Sequence, residues 1–569
     1  MKRKISWKTL QWLWKVSGKE KWNIFFLVFV QIFLGISTVL FAWLLRGGID
    51  CAVEKNKEGF LFYAVAMVAV ILLQILANAL RRFFDEYAAS GMENCFKARL
   101  FEQLLTRDYA HITAVHSGEW MNRLTSDVVV VADGMTVILP DVIGMLVKLV
   151  GAVVALLIRV PELGYLIFPG GVFLLLFSTA SRKVLKRLHV EIQEADGRLR
   201  IQLSERISGM LIVRTFARER QALEESKEQM RNHRTARMKR NRFSICCNAG
   251  FSFAFNVVYM IGVLYCGWGI LVGTVSYGSF TAVLQLIGQI QTPFVNLTSY
   301  LPKFYSMIAS AERLMEVEQY ERVPVEEMLS TEEIMEFYNT KFQAMCLENV
   351  FFTYMPPVAS GQDIKNMPVV LENLNVRIEK GDCVAFTGPS GSGKSTILKL
   401  LMGLYAPDSG KCFMESSDGE NGALPLDSHY TRLFAYVPQG NHLMSGSIRE
   451  VVSFSDKEKM AEEKGLYRAL ELACALEFVK ELPEGIDTRL GERGAGLSEG
   501  QMQRLAIARA ICSGNPILVL DEATSALDEA TEQRLMTNLQ QMTEYTILIV
   551  THRPAMLQLC NRQVILESY

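Results

Sequence analysis

One eight-residue segment constrains the fold of this chain more than any other, because it fills the pattern G-x-x-x-x-G-K-[ST]. It reads Gly388-Pro389-Ser390-Gly391-Ser392-Gly393-Lys394-Ser395. A strand-like apolar run, Cys383–Thr387, precedes it, and a helix-like run starting at Thr396 follows. In this strand–loop–helix arrangement, the glycines let the backbone wrap around phosphate oxygens, and the N–H groups at the helix start face the anion. The sequence therefore predicts a phosphate-binding loop in an α/β nucleotide-binding domain.

Two further groups suit the chemistry of a bound nucleotide. Lys394 is placed to reach the β- and γ-phosphates, and the Ser395 hydroxyl to bind Mg²⁺. Downstream, the apolar strand 516–520 ends in two carboxylates, where open α/β sheets bind ligands. We interpret Asp521 as a Mg²⁺ ligand and Glu522 as the general base that polarises the attacking water. Taken alone, the acid pair fits a helix N-cap equally well, and its order after the phosphate loop favours the catalytic interpretation.

The first half of the chain is rich in long apolar runs. Hydrophobic residues make up 50% of the 569 residues, and the excess lies before residue 310. Runs of about 20 apolar residues are long enough to cross a hydrocarbon core of about 30 Å. A buried soluble core is the alternative interpretation of such runs. We predict six spans, near residues 22–45, 60–80, 137–159, 163–180, 243–272 and 280–302.

Beyond the spans the pattern changes, since the apolar runs shorten to strand length and alternate with charged helical stretches. We therefore expect a polytopic α-helical membrane domain over 1–315, a linker over 316–340 and a C-terminal α/β P-loop NTPase domain over 341–569. The long stretches 81–136 and 181–242, between consecutive spans, suggest that the membrane helices extend well into the cytoplasm.

Basic residues near the spans indicate the orientation. Residues 1–21 hold seven Lys or Arg, and 181–242 hold seventeen against eight Asp or Glu, whereas 160–162 and 273–279 hold neither Lys nor Arg. We expect an integral protein of a bacterial inner membrane, with its N-terminus and nucleotide-binding domain in the cytoplasm. Of eleven cysteines only Cys51 falls on the predicted outer side. A formal net charge of −1 predicts no nucleic-acid partner.

The segment Leu497-Ser498-Glu499-Gly500-Gln501 predicts a helix start, because Ser498 and Gln501 form an S-x-x-Q capping box. The positive end of such a helix can bind a phosphate, although an ordinary capped helix is the simpler interpretation. The segment resembles the LSGGQ signature of the ATP-binding cassette (ABC) family, and Gln503 through Ala510 follow in the expected helix.

Other parts of the chain are similar to the ABC family in the same order. The resemblance implies that Tyr354 stacks on adenine, that Gln439 contacts metal and water, that Ser525–Asp528 follow the general base, and that His552 holds the γ-phosphate. Without the resemblance, Tyr354 could be an ordinary strand aromatic, and His552 could be a capping residue. Gly491–Gly494 resembles the exporter loop that touches the membrane helices. The implied sites are ATP contacts at Tyr354, Gly388, Pro389, Ser390, Gly391, Ser392, Gly393, Lys394, Ser395, Thr396, Gln439, Ser498, Gly500, Gln501, Asp521 and Asp528, metal ligands at Ser395, Gln439 and Asp521, and catalytic groups at Glu522, His552 and Gln439.

Taken over its whole length, the chain resembles a half-transporter of the ABC exporter type. Segments 117–127 and 205–216 lie where that family has its two coupling helices. In the family the signature helix of one subunit closes on the phosphate loop of the other, so the resemblance implies a dimer with two ATP and Mg²⁺ sites. We expect the chain to pair with itself, and a heterodimer with a second half-transporter is the alternative.

The chain departs from the family pattern in three places. Glu499 replaces the first glycine of the signature and adds a negative charge near the phosphate site, the segment 411–430 shows no short strand pair, and the chain stops at Tyr569, soon after His552. The charge at Glu499 is the reason to keep the heterodimer open.

The transported substrate is the least determined property. Polar side chains within the spans, such as Asp141, Lys148, Gln285 and Gln289, face either a cavity or neighbouring helices. We expect ATP-driven export of a peptide, a lipid or an amphipathic small molecule by alternating access between the two halves. An importer on the same fold and a membrane regulator with a weakly active cassette are the alternatives.

Overall fold

The protein is described by a computed structural model. Two compact units divide the chain, and we call them the membrane unit (Met1–Leu100 with Asn122–Met315) and the cassette unit (Phe101–Met121 with Glu316–Tyr569). The described residues are 7–159, 161–323, 329–354, 368–420, 422–440, 443–455, 463–491, 494, 496–542 and 544–567.

Most of the described residues between 7 and 316 are in α-helices, several of them very long. Short π-helical segments, Arg123–Asp127 and Gly134–Ile138, interrupt the run between α5 and α7. The helices are α1 Trp7–Val16, α2 Lys21–Val53, α3 Lys57–Thr106, α4 Tyr109–Thr113, α5 Ser117–Asn122, α6 Val128–Asp133, α7 Leu139–Arg159, α8 Pro161–Ser208, α9 Met210–Thr215, α10 Glu219–Val272 and α11 Tyr277–Glu316.

Four of these helical stretches are long and apolar enough to cross a membrane among the side chains that the structure describes. They are Lys21–Val53, Lys57–Thr106, Ser117–Ile158 and Glu219–Val272, and they contain the first, second, third and fifth predicted spans. The fourth and sixth predicted spans lie within α8 and α11, and the side chains of 161–180 and 294–299 are outside the described set. The total of six spans therefore stays a prediction.

The lengths of α3, α8 and α10 exceed what a bilayer needs. They contain 50, 48 and 54 residues. At about 1.5 Å per residue these helices are about 70 to 80 Å long, more than twice a hydrocarbon core of about 30 Å. These lengths agree with helices that extend beyond a bilayer, and their extension into the cytoplasm stays a prediction.

Close backbone approach and a buried ion pair join the helices of the membrane unit. A Cβ atom on Gly35 of α2 would lie 3.1 Å from the Gly144 carbonyl oxygen of α7, so the small residues let these helices touch. Asp127, 3% exposed, accepts hydrogen bonds from Ser310 Oγ at 2.9 Å and Arg313 Nε at 2.7 Å. This pairing compensates the cost of burying the carboxylate and ties the π-helical segment to α11.

Two sheets form the core of the cassette unit. A parallel sheet has the strand order β11-β3-β10-β9-β6, and an antiparallel sheet has the order β2-β1-β4-β5. Every residue of β9 and β10 is buried, as expected for parallel strands covered on both faces. The strands are β1 Phe342–Thr353, β2 Val369–Glu379, β3 Cys383–Thr387, β4 Ser409–Glu420, β5 Ala423–Pro425, β6 Phe434–Val437, β7 Gly446–Ser447, β8 Arg489–Leu490, β9 Ile517–Asp521, β10 Thr546–Val550 and β11 Arg562–Ile565.

The cassette unit also contains α-helices, several of which begin with a side-chain cap, as at Ser330, Ser447, Ser498 and Asp528. They are α12 Thr331–Thr340, α13 Lys394–Leu401, α14 Ile448–Val452, α15 Glu463–Leu472, α16 Leu476–Glu481, α17 Glu499–Ser513, α18 Glu529–Gln540 and α19 Pro554–Leu559.

One expectation on local structure is wrong. The segment 411–430 does contain a strand pair, since β4 and β5 pair antiparallel with Met414 opposite Leu424. A short helix, α4, precedes the segment 117–127, which itself contains α5 and a π-helical segment and continues toward α7. The placement of a coupling helix at 117–127 stays a prediction. Asp108 caps α4 through the His111 N–H at 3.1 Å, a signal that sequence reasoning overlooked.

Helix α4 packs within the cassette unit. The Asp108 N–H donates to the Glu321 carbonyl at 3.0 Å, and the Val323 N–H donates to the Thr106 carbonyl at 2.8 Å. The His111 ring stacks on Tyr320 with 4.9 Å between ring centroids. Residues 101–121 therefore belong to the compact unit that contains the sheets.

The predicted linker 316–340 contains α12, whose apolar face is part of the cassette core. Ser330 and Glu333 form a capping box at its start. Tyr338, 1% exposed, stacks on Phe342, and its hydroxyl lies 2.9 Å from Thr546 Oγ1 at the start of β10. This helix thus anchors the entry to the cassette onto the central sheet.

We predict that Tyr338→Ala destabilises the cassette by about 3–5 kcal/mol, the usual cost of truncating a buried aromatic side chain. Tyr338→Phe removes only the hydroxyl and should cost about 1 kcal/mol. Pulse proteolysis of the full chain across a urea series measures both. Equal stability of Tyr338→Ala and wild type would contradict a structural role for α12.

Candidate ATP-binding and hydrolysis site

The phosphate loop connects β3 to α13, as predicted from the sequence. Its glycines adopt positive φ angles, +146° at Gly388, +86° at Gly391 and +89° at Gly393. A Cβ atom on Gly388 would lie 2.4 Å from the Leu566 carbonyl oxygen, so only glycine fits there. The buried hydroxyl of Ser392 has no hydrogen-bond partner among the described residues. A loop with an unpaired donor at a helix start fits a phosphate group.

Lys394 is the first residue of α13, and its side chain folds back over the loop. Its Nζ donates to the Gly388 carbonyl at 2.8 Å and to the Pro389 carbonyl at 2.7 Å, and the residue is 6% exposed. The fold thus places a desolvated positive charge at the loop, where it suits phosphate oxygens.

Asp521 ends strand β9 directly beside α13. Ser395 Oγ donates to one carboxylate oxygen at 3.1 Å, and the Tyr436 hydroxyl donates to the other at 3.3 Å. Burial raises the pKa of Asp521, and these two hydrogen bonds oppose that effect. Burial and the nearby Asp521 charge raise the pKa of Tyr436. Sequence reasoning missed Tyr436, although it stands two residues after the start of β6.

The residues present fit a magnesium ion. Mg²⁺ prefers oxygen ligands and is commonly bound by one or two carboxylates with substrate phosphates and water. A carboxylate and a hydroxyl meet here beside the phosphate loop. Ser395 and Asp521 would therefore hold Mg²⁺ together with the phosphates of ATP.

Glu522 follows Asp521 at the same sheet edge. Its φ angle is +51°, uncommon for a residue with a side chain, and its N–H donates to the Val550 carbonyl at 3.0 Å. Such strained backbone occurs most often at functional sites. Gln439, two residues beyond β6, donates through Nε2 to the Glu522 carboxylate at 2.8 Å. The structure therefore brings together the predicted general base and the predicted Gln439.

Tyr354 lies at the end of β1. Its hydroxyl is 2.8 Å from Thr396 Oγ1 in α13, and its ring meets those of Phe352 and Tyr405 edge-on, at 5.2 and 5.8 Å between centroids. These contacts hold the ring near the start of α13, and its stacking on adenine stays a prediction.

The signature helix α17 begins as predicted. Ser498 Oγ accepts a hydrogen bond from the Gln501 N–H at 3.3 Å, and the Ser498 N–H donates to Gln501 Oε1 at 2.9 Å. Glu499 stands in the first helical turn, where a carboxylate is favoured by the helix dipole. A Cβ atom on Gly500 would lie 2.9 Å from the Ala526 carbonyl oxygen, which explains this glycine.

The structure places Asp528 as a helix cap. Its carboxylate accepts from the Thr531 N–H at 2.9 Å and Thr531 Oγ1 at 2.8 Å, and these bonds hold its pKa below the usual range. His552 follows β10 and is exposed. Glu492 and Arg493, in the predicted exporter loop, lie outside the described residues.

Not all predicted ATP contacts come together in one subunit. Ser395 is hydrogen-bonded to Asp521, and Gln439 is hydrogen-bonded to Glu522. Among the described contacts, Ser498, Gly500 and Gln501 have none with the phosphate loop 388–395. Sequence reasoning missed Gln503 and Arg553, although each lies within two residues of a predicted site residue. Both hold the loop after Glu522, through Ser525 Oγ at 2.8 Å and the Ser525 carbonyl at 2.6 Å.

Polar side chains in the membrane unit bond mostly between helices. Tyr300 donates to Asp141 at 2.8 Å, Gln31 donates to the same carboxylate, and Gln289 Nε2 donates to the Thr38 carbonyl at 2.9 Å. The partners of Asp141 in the described set include Arg81 at 3.8 Å, not Lys148. Interhelical bonding therefore accounts for Gln31, Asp141 and one end of Gln289.

Comparison with known proteins identifies both halves. The model of the ABC transporter transmembrane region matches residues 24–294, and the ABC transporter model matches residues 371–525. The leukotoxin translocation ATP-binding protein LktB of Bibersteinia trehalosi is 27% identical over 543 residues, which cover 95% of this chain and 73% of the relative. The toxin RTX-I translocation ATP-binding protein of Actinobacillus pleuropneumoniae is similar to the same extent.

A solved structure shares the architecture. The structure of a bacterial Atm1-family ABC exporter with ATP bound superposes with a TM-score of 0.78 at 20% identity, covering 95% of this chain and 92% of that one. The two family matches cover most of the chain, and the second includes the phosphate loop, Asp521 and Glu522. This chain therefore belongs to the ABC transporter family, with a membrane domain fused to an ATPase domain whose ATP hydrolysis is coupled to transport.

Proposed function

We propose that the chain is one half of an ATP-driven exporter that moves a peptide, a lipid or an amphipathic small molecule out of the cytoplasm. The observation that carries the proposal is the hydrogen-bonded set Ser395–Asp521 and Gln439–Glu522 beside a phosphate loop, in a chain that also has membrane-crossing helices. The toxin translocation proteins support export, and the importer alternative is not favoured.

Each polar group in the site has a role that its position supports. The loop N–H groups, Lys394 and Ser392 bind phosphate oxygens, and Tyr354 stacks on the base. Mg²⁺, when bound, neutralises charge that develops on the phosphates. Glu522 accepts the proton of the attacking water, and the amide of Gln439 orients the carboxylate. His552 reaches the γ-phosphate from the end of β10.

We predict that Glu522→Gln lowers ATP hydrolysis by about 10²–10⁴-fold and leaves ATP binding intact, because the amide keeps the shape and loses the basicity. Turnover of the full protein in lipid and binding of a fluorescent ATP analogue measure the two properties. Glu529→Gln, an exposed change of the same type in α18, is the matched control and should behave as wild type. Unchanged turnover in Glu522→Gln would exclude Glu522 as the general base.

The dimeric state follows from the distribution of the site residues. ABC exporters work as dimers, and Ser498 at the start of α17 makes no described contact with the phosphate loop of its own chain. We propose that α17 of a second copy completes the site, because this one cassette holds all of the predicted catalytic groups. A heterodimer is the competing arrangement.

Complementation distinguishes the two arrangements. In a homodimer, Lys394→Ala and Ser498→Arg should each abolish ATPase activity, since each damages both sites. A mixed dimer concentrates both defects in one site and leaves the other intact, so random co-assembly should restore about a quarter of wild-type activity if the sites act independently. Different tags on the two subunits allow the mixed dimer to be isolated, and the isolated mixed dimer, with one of its two sites intact, should show about half of wild-type activity. Wild-type protein that gains ATPase activity only with a different half-transporter would contradict self-pairing.

The proposed orientation puts the N-terminus and the cassette in the cytoplasm of a bacterial inner membrane. Cys51, near the end of α2, should then react with a membrane-impermeant maleimide in intact cells, and Cys51→Ser should lose that signal. Cys383 is a poor inner probe, because its hydrogen bond to Cys560 raises its thiol pKa. A cysteine placed at the exposed Gln533 in a Cys51→Ser background should react only after permeabilisation. The opposite labelling order would contradict the orientation.

The substrate class is tested by transport. The reconstituted protein should show ATPase stimulation by one class among peptides, lipids and amphipathic small molecules, and inside-out vesicles should accumulate that compound with ATP but not with Glu522→Gln protein. Accumulation in right-side-out vesicles instead would indicate import.

A further inference from the structure

The loop Ala523–Leu527 connects the proposed general base to α18 and lies outside the sheet. Its backbone groups therefore need partners other than strand neighbours. The Ser525 N–H donates to the Glu522 carbonyl at 3.3 Å, which makes a tight turn directly after Glu522. Any displacement of this turn would rotate Glu522, whose φ angle of +51° already lies in a sparsely populated region.

One side of the loop is held by the signature helix. Gln503, 2% exposed in α17, accepts from the Ala526 N–H at 3.0 Å and donates to Ser525 Oγ at 2.8 Å. The loop and the helix that begins at Ser498 are thereby joined by two hydrogen bonds from a single buried amide.

The other side of the loop is held by Arg553, the residue after His552. Its guanidinium donates to the Ser525 carbonyl at 2.6 Å and to the Leu527 carbonyl at 2.9 Å. It also donates to Glu532 at 3.1 Å, and that carboxylate, only 5% exposed, accepts from Thr524 Oγ1 at 3.0 Å. A planar guanidinium with five N–H groups can serve three acceptors at once, which a lysine ammonium does with less fixed geometry.

We propose that Arg553 is a positioning residue for ATP hydrolysis. It holds the loop after Glu522 in place, so that the Glu522 carboxylate keeps its direction, and it connects that loop to His552 through one peptide bond. The inference rests on the proposed role of Glu522 as general base. Because the guanidinium bonds the loop and Glu532, its loss should disturb hydrolysis and leave nucleotide binding unchanged.

The test uses the full protein in lipid, as the homodimer or heterodimer that the complementation experiment identifies. We expect Arg553→Gln to lower kcat by about 10- to 100-fold, the size of effect that a misplacement of about 1 Å can produce. KM for ATP and the affinity for a fluorescent ATP analogue, both measured well below the melting temperature, should stay near wild type. The melting temperature should fall, because the buried Glu532 carboxylate loses its cation. Arg553→Lys, which keeps a cation beside Glu532, should recover part of the loss.

Arg534→Gln is the matched control, because Arg534 in α18 bonds the exposed Glu477 carboxylate at 3.0 Å outside the site. Its kcat should equal that of wild type. In the double variant with Glu522→Gln, Arg553→Gln should add no further loss, since both changes act on the same step. If Arg553→Gln does not fold, Arg553→Lys decides by the same measurements.

Three results would overturn the proposal: wild-type kcat in Arg553→Gln, a loss of nucleotide affinity that parallels the loss of kcat, or a double variant slower than Glu522→Gln by the full Arg553→Gln factor. The role of Glu522 is tested separately. Wild-type turnover in Glu522→Gln would contradict that role, whatever value kcat has in Arg553→Gln.

Discussion

The parallel sheet of the cassette is the constraint on which the site depends. Strands β3, β10, β9 and β6 run in the same direction, so their carboxyl ends meet at one edge, and each ends in a functional segment. The phosphate loop follows β3, His552 follows β10, Asp521 ends β9 and Gln439 follows β6. Polar groups that are 83 to 126 residues apart in the sequence, such as Gln439 with Glu522 and Ser395 with Asp521, thereby lie close enough for hydrogen bonds.

Burial also determines how the polar groups of the site act. Asp521 is buried, and its carboxylate accepts hydrogen bonds from the Ser395 hydroxyl of α13 and the Tyr436 hydroxyl of β6. Several oxygen atoms therefore lie together beside the phosphate loop. Glu522 is more open, and a single amide holds it. The two adjacent acids therefore have different surroundings, as metal binding and proton transfer require. In the membrane unit the same need to satisfy buried polar groups is met between helices, as at Asp141 and Asp127.

The discrepancies between expectation and structure have physical causes. The β4–β5 pair was not predicted because β5 is only three residues long, and its pairing comes from neighbouring strands rather than from its own pattern. The short helix α4 was not predicted because its signal is a single cap, Asp108. Asp528 was assigned to ATP by resemblance, and its bonds to Thr531 show a helix cap, which leaves its ATP role a prediction.

The sequence by itself determined the phosphate loop, the capping box at Ser498, the strand that ends in Asp521 and Glu522, and the apolar helices, because each depends on residue types at short spacing. Only the tertiary structure decided which distant side chains meet. Residues from different strands and helices are joined by hydrogen bonds. Gln439 bonds Glu522, the Tyr436 hydroxyl bonds Asp521, and Gln503 and Arg553 both bond the loop after Glu522. Local patterns do not record such contacts, because strand order and helix packing set them.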